Sequence, residues 1–176
     1  MATKYEYNDS EDSHNSSRYG ALWFGQTFTP QISHQITSFK FKILTQGLIQ
    51  GLLYYVIYDV DQETHEPTDI ICSGSVSPTD APTETEDLYE ISLGAGAPLT
   101  AGVEYAAILK YPDGDATHYF RVYYDASGSE YTRGRALLTE DGGSNWNVVG
   151  EPGADAVFEE WGTAGPPPMS RAYIAG

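Results

Sequence analysis

The chain has 176 residues, enough for one domain that buries most of its apolar surface and too few for two of ordinary size. Twenty-five acidic residues against nine basic ones give a formal charge of −16, which repels phosphate backbones and anionic bilayers and so argues against nucleic acid and membrane surfaces as partners. The single cysteine, Cys72, excludes an intrachain disulfide and a cysteine-built metal site, while 14 Tyr, 18 Gly and 10 Pro give a turn-rich β-protein rather than a disordered acidic chain.

In chain order, residues 1–18 are polar and acidic and lack the apolar stretch of a signal peptide. They are expected to form an arm that orders only against a neighbour. From there the apolar residues alternate with period two, and no window carries a helical stripe over three turns. Strands are expected over 22–29, 37–44, 51–60, 69–76, 87–93, 103–111, 117–125, 134–140, 147–149 and 156–161. In 37–44, Phe39, Phe41 and Ile43 fall on one face and Lys40 and Lys42 on the other. "GLLYYVIYDV" (51–60) is apolar on both faces and reads as central, and in 103–111 Val103, Tyr105, Ala107, Leu109 and Tyr111 share a side. Cys72 is expected to be a buried, inert thiol on a strand. Turn residues mark 77–82, "GAGAP" (94–98), "YPDGD" (111–115) and "DASGS" (125–129). These elements predict an all-β fold, an antiparallel β-sandwich of about 9–10 strands over residues 19–162. After it, residues 163–176 with three consecutive prolines read as a Pro-rich tail.

Five segments, "GQTFTPQISHQITSFKFKI" (25–43), "YYVIYDVD" (54–61), "LYEISLGAGAPLTAGVEYAAILKY" (88–111), "YYDASGSEYTRGRALLTEDGGSNW" (123–146) and "FEEWG" (158–162), carry in order and spacing a resemblance. The chain resembles the choice-of-anchor type of β-sandwich module found in exported prokaryotic proteins and phage structural proteins. The resemblance implies a jelly-roll-like sandwich, a virion, extracellular or cell-surface setting, and no assigned catalytic activity. It carries over no functional residues.

"TEDGGSNW" fits the Asp-box pattern through Thr139, Asp141, Gly143 and Trp146. In that pattern the Asp carboxylate takes turn amides, Gly supplies a positive φ and Trp packs beneath the hairpin. One copy cannot build the blades of a sialidase propeller, so the motif is read as a hairpin fastener. Asp59, Asp61 and Glu63 alternate at a strand end, a spacing that can present oxygens to a structural Ca²⁺; the other reading is a solvated strand end, with no cofactor. Four scattered histidines form no zinc motif, and strand alternation places Glu159 and Glu160 on opposite faces, against an acid/base pair. On "HYFRVYYD", inward Phe120 and Val122 leave Tyr119, Arg121, Tyr123 and Asp125 on the other face, suited to a protein interface, to plain packing or to a glycan.

The expected function is therefore non-catalytic: a structural or adhesive sandwich on a virion or cell surface, acting through protein partners or self-assembly. The competing expectation is a carbohydrate-binding module, with or without Ca²⁺, stacking its Tyr and Trp rings on a surface glycan.

Overall fold

The computed structural model describes residues 1–10, 14–126, 130–150 and 153–165. They form thirteen strands: β1 (Thr3–Asn8), β2 (His14–Arg18), β3 (Trp23–Phe28), β4 (His34–Gln46), β5 (Leu53–Val60), β6 (Pro67–Val76), β7 (Asp87–Leu99), β8 (Tyr105–Lys110), β9 (Tyr119–Asp125), β10 (Ala136–Thr139), β11 (Asn147–Val148), β12 (Asp155–Ala156) and β13 (Phe158–Ala164). Two antiparallel sheets pack face to face. One, here sheet A, runs β1-β13-β4-β9-β12 with β7 on the other edge of β4 and β2 on β9; sheet B runs β11-β10-β3-β8-β5-β6. The chain changes sheet at most connections, as in a jelly roll.

Alternation decides which side chains meet between the sheets. Phe39, Phe41 and Ile43 of β4 point inward and face Phe24, Phe28, Leu53, Tyr55, Tyr105, Ala107 and Leu109 from sheet B. Rings lock this layer: Phe39 stacks on Phe158 at 5.5 Å, and Phe41 meets Tyr55 edge-on at 5.3 Å. Burying each such Phe stabilises the fold by about 1.5–3 kcal/mol. The outer face of sheet B carries its own smaller cluster, in which Trp23, Tyr58 and Trp146 cover Val60, Ala106 and Ile108.

Two features of β4 shape the rest. Its partner on one edge changes along its length, from β13 over His34–Phe41 to β9 over Ile43–Gln46. At the fork Val157 donates its N–H to Tyr123 O (3.0 Å) and accepts from Lys42 N (2.9 Å). Gln26, fully buried on β3, reaches across the interior to the same place: Nε2 donates to Asp155 Oδ1 (2.6 Å), and Oε1 accepts from Ala156 N (2.7 Å). On the other edge β4 pairs with β7 over His34–Ile43, and the "GAGAP" turn expected at 94–98 lies inside that strand. The register jumps from Ser38↔Ser92 to Ile36↔Ala97, so the turn dihedrals of Gly94 (φ +64°) and Gly96 (φ +69°) make a bulge instead of ending the strand.

The N-terminal segment is also corrected. β1 pairs with β13 and β2 with β9, so described residues before position 19 form an edge of sheet A and not a free arm. Composition missed this because the segment buries Glu6, Asn8 and Arg18 instead of apolar side chains. At the other end β13 extends to Ala164, past the expected limit at 162, by pairing Thr163 and Ala164 with Gln35 and His34. The proline run of the expected tail lies outside the described residues, as does most of the "DASGS" turn. Cys72 sits half-buried on the edge strand β6, and burial pushes its thiol up to about 11.

Candidate functional site

The outer face of sheet A collects charge and aromatic rings. Lys40 and Lys42 of β4 project outward because Phe39, Phe41 and Ile43 project inward, and register places Glu159 of β13 and Glu90 of β7 beside Lys40. Arg121 of β9 stands opposite Leu44, and Tyr119 opposite Gln46. Four of the chain's nine basic side chains lie on this face, each over a ring: Lys4 over Tyr7 (4.1 Å), Lys40 over Trp161 (4.7 Å), Lys42 over Tyr123 (5.9 Å) and Arg121 over Tyr119 (6.0 Å). Glu159 ties the row together, bridging Lys4 Nζ (3.1 Å) and Lys40 Nζ (3.2 Å) and accepting from Trp161 Nε1 (2.8 Å). Burial opposes ionisation of Glu159, but Trp161 and the two lysines outweigh it and hold the carboxyl below its ordinary range.

Of the four residues expected on one face, Phe120 and Val122 being inward, Tyr119 and Arg121 remain half-exposed and joined by a hydrogen bond that lowers the Tyr119 phenol. Tyr123 and Asp125 are buried. The exposed part of the face is therefore shifted toward β4 and β13, to Lys40, Lys42 and Trp161. Reading one strand alone missed these, because neighbours across strands are set by register and not by sequence proximity.

The Asp-box residues converge as a turn between β10 and β11. Asp141 Oδ1 accepts from Thr139 Oγ1 (2.7 Å) and from the amides of Ser144 and Asn145 (both 3.0 Å), while Oδ2 takes the Asn145 side chain (2.6 Å). The bonds from Asn145, then Thr139, hold the carboxyl down at about 2. Gly143, at φ +92°, runs close against the Trp23 ring, and Trp146 packs 6.5 Å from that ring. Asp59, Asp61 and Glu63 do not converge. Asp61 Oδ1 accepts from Glu63 N (2.8 Å) and Thr64 N (2.9 Å), bonds that cap the β5–β6 hairpin and lower its carboxyl. No three His, Cys, Asp or Glu side chains gather as a metal-binding group among the described residues.

A second constellation, unforeseen in the sequence, lies inside the sandwich where β1 meets β13. His34, Glu6 and Glu160 are all buried. His34 Nδ1 lies 2.8 Å from Ile32 O, which can only accept, so Nδ1 carries a hydrogen; Nε2 lies 2.8 Å from Glu160 Oε1, and that contact shares one further proton. Burial alone would lower the imidazole, but the bond to Glu160 and its charge overcome this and leave His34 above its ordinary value. Burial also raises the Glu160 carboxyl, whose Oε2 has no hydrogen-bond partner. Glu6 Oε2 accepts from Arg133 Nη2 (2.6 Å) and Nε (3.1 Å) and from Tyr131 OH (3.1 Å), and Oε1 from Gln31 N (3.1 Å). One signal was present: Glu160 falls on the same strand face as Phe158, and His34 on the same face as Ile36. In β1 the polar composition that suggested an arm gave no such signal, yet Glu6 is 1% exposed and Tyr7 47%.

No protein-family model matches the chain, and no curated protein is detectably similar to it. The chemistry of these two regions is thus read from their own geometry.

Proposed function

We propose that this protein is a non-catalytic β-sandwich that works by assembly on a virion or cell surface, docking the outer face of sheet A onto an acidic protein surface. The row of four ring-backed cations on a chain of net charge −16 carries this reading. With the row set aside, the remaining charges are overwhelmingly acidic, so another copy of the chain is itself a complementary partner. The cations of the row also meet acids of their own sheet, Lys4 and Lys40 at Glu159 and Lys42 at Glu86 (3.8 Å), so docking exchanges part of these contacts for ones to the partner. A face that gathers four of the nine cations meeting a different, acidic surface is a head-to-tail contact, which builds rings or filaments. Aromatic residues and arginine are also the side chains that anchor protein interfaces. The resemblance to choice-of-anchor modules supports the surface or virion setting. A flat sugar platform on this face is less favoured, because cations lie over these rings and Tyr123 is buried.

Sedimentation velocity and negative-stain microscopy of the full chain test the reading. At low salt, oligomers or filaments are expected, dissolving as ionic strength rises. The double variant Lys40→Glu, Lys42→Glu is expected to abolish them while leaving the melting temperature within a few degrees. A chain that stays monomeric at low salt and high concentration removes self-assembly, and one that binds no acidic protein of its native particle removes the docking reading altogether.

A further inference from the structure

A cleft of about 280 Å³ opens beside the edge strand β1, between that strand and the segment 130–133. Its walls include Tyr5, Gln31, Tyr131 and Arg133, with Tyr7, Asp9 and Glu130 toward solvent. The buried constellation fixes these walls from behind. Glu6 holds Arg133, the Tyr131 hydroxyl and the Gln31 backbone, and the Tyr5 ring lies flat on His34, 3.7 Å away at an interplanar angle of 3°, with His34 in turn held by Glu160.

Such a buried network is a poor way to gain stability. Desolvating two carboxylates, an imidazole and part of a guanidinium costs free energy that an apolar cluster of the same volume avoids, and the unpartnered Glu160 Oε2 adds to it. What the network supplies is position: four neighbouring wall residues are held in fixed orientation, as a binding site requires and a passive surface does not.

The walls also indicate what fits. Asp9 and Glu130 offer acceptors, Arg133 and Gln31 offer donors, and the half-exposed Tyr5 and exposed Tyr7 contribute ring surface, the Tyr131 hydroxyl being taken by Glu6. Two acids against one base disfavour a phosphate or sulfate, and the scarcity of apolar wall disfavours a lipid or steroid. Mixed donors and acceptors beside aromatic rings match vicinal hydroxyls and the C–H face of a pyranose. The volume lies just under the range of about 300–1,000 Å³ usual for small-molecule sites, room for one or two sugar rings. We infer that this cleft is a binding site for a neutral saccharide, distinct from the assembly face of sheet A but adjoining it at Tyr7, whose ring also lies under Lys4.

Saturation-transfer NMR and calorimetric titration of the full chain with cellobiose, xylobiose, chitobiose, lactose and mannobiose, and with inorganic phosphate and sulfate as anionic probes, test it. At least one disaccharide is expected to bind. Arg133→Lys keeps a cation opposite Glu6 but loses the planar fork, and Glu130→Gln touches none of the buried network; each is expected to weaken binding about tenfold or more, Arg133→Lys with a lowered melting temperature because a bond to buried Glu6 is lost and Glu130→Gln with an unchanged one. Lys40→Glu, on the sheet face, is expected to leave saccharide binding intact, so that failure of the cleft and failure of the assembly reading are separable. The inference is overturned if none of the five disaccharides binds at millimolar concentration, if the anions bind in their place, or if binding survives both cleft variants.

Discussion

His34 Nε2 lies 2.8 Å from Glu160 Oε1, with both side chains shut off from solvent. The imidazole is held above its ordinary 6.5 and the carboxyl above its ordinary 4.5, so the folded state keeps protons that the unfolded chain releases. For a raised group, the stabilisation is complete below its unfolded value and is lost as pH rises through the folded one. Melting temperature is therefore expected to fall as pH rises above 6.5. Glu160→Gln, whose amide can donate to neutral His34, is expected to flatten that slope. His34→Ala is expected to cost about 3 kcal/mol by denaturant titration at neutral pH, as breaking a buried pair does.

Gln26 is the fully buried bridge between the sheets, and Gln26→Leu preserves volume while removing both of its bonds to Asp155 and Ala156. Each buried hydrogen bond so lost costs about 0.5–1.5 kcal/mol. Urea unfolding is expected to show a lower midpoint with an unchanged slope, the sign of lost stability in a native state of the same compactness.

The Asp141 carboxylate is tied to four turn groups. Its lowered value gives a stabilisation present above the ordinary 3.8 and lost as pH falls through about 2. Asp141→Ala is expected to lower the melting temperature at pH 7 and to differ little from the parent at pH 2, and Trp fluorescence should shift red as the hairpin loosens from Trp23. Removal of Ca²⁺ by chelation is expected to leave both proteins unchanged, since the hairpins are closed by carboxylate–amide bonds.

Gly96 adopts φ +69°, and a Cβ there would stand 1.6 Å from Ile36 O. Gly96→Ala is expected to destabilise by more than the roughly 1–2 kcal/mol of the left-handed backbone alone, because β4 must also move away from β7. Equilibrium unfolding measures the loss, and hydrogen exchange at Ile36 and Ala97 should report the local opening.

Every segment expected to be a strand contains one, because period-two alternation is a local consequence of half-burial: Phe39, Phe41 and Ile43 against Lys40 and Lys42 can serve one face only in an extended chain. The Asp-box turn was legible for the same reason, its bonds spanning Thr139 to Asn145. "GAGAP" shows the limit of local reading. Its dihedrals were legible, but whether they end a strand or bulge within it depends on β4, some sixty residues away.

The sequence by itself determined an acidic, antiparallel β-sandwich, since composition and alternation act over a few residues. Only the tertiary structure decided that β1 and β2 complete sheet A, that four cations line up across β1, β4 and β9, and that Glu6, His34, Glu160 and Arg133 meet behind one cleft. These groups come from positions 6, 34, 133 and 160. Their partnership follows from strand order and register, which the whole set of long-range contacts fixes at once and no short window contains.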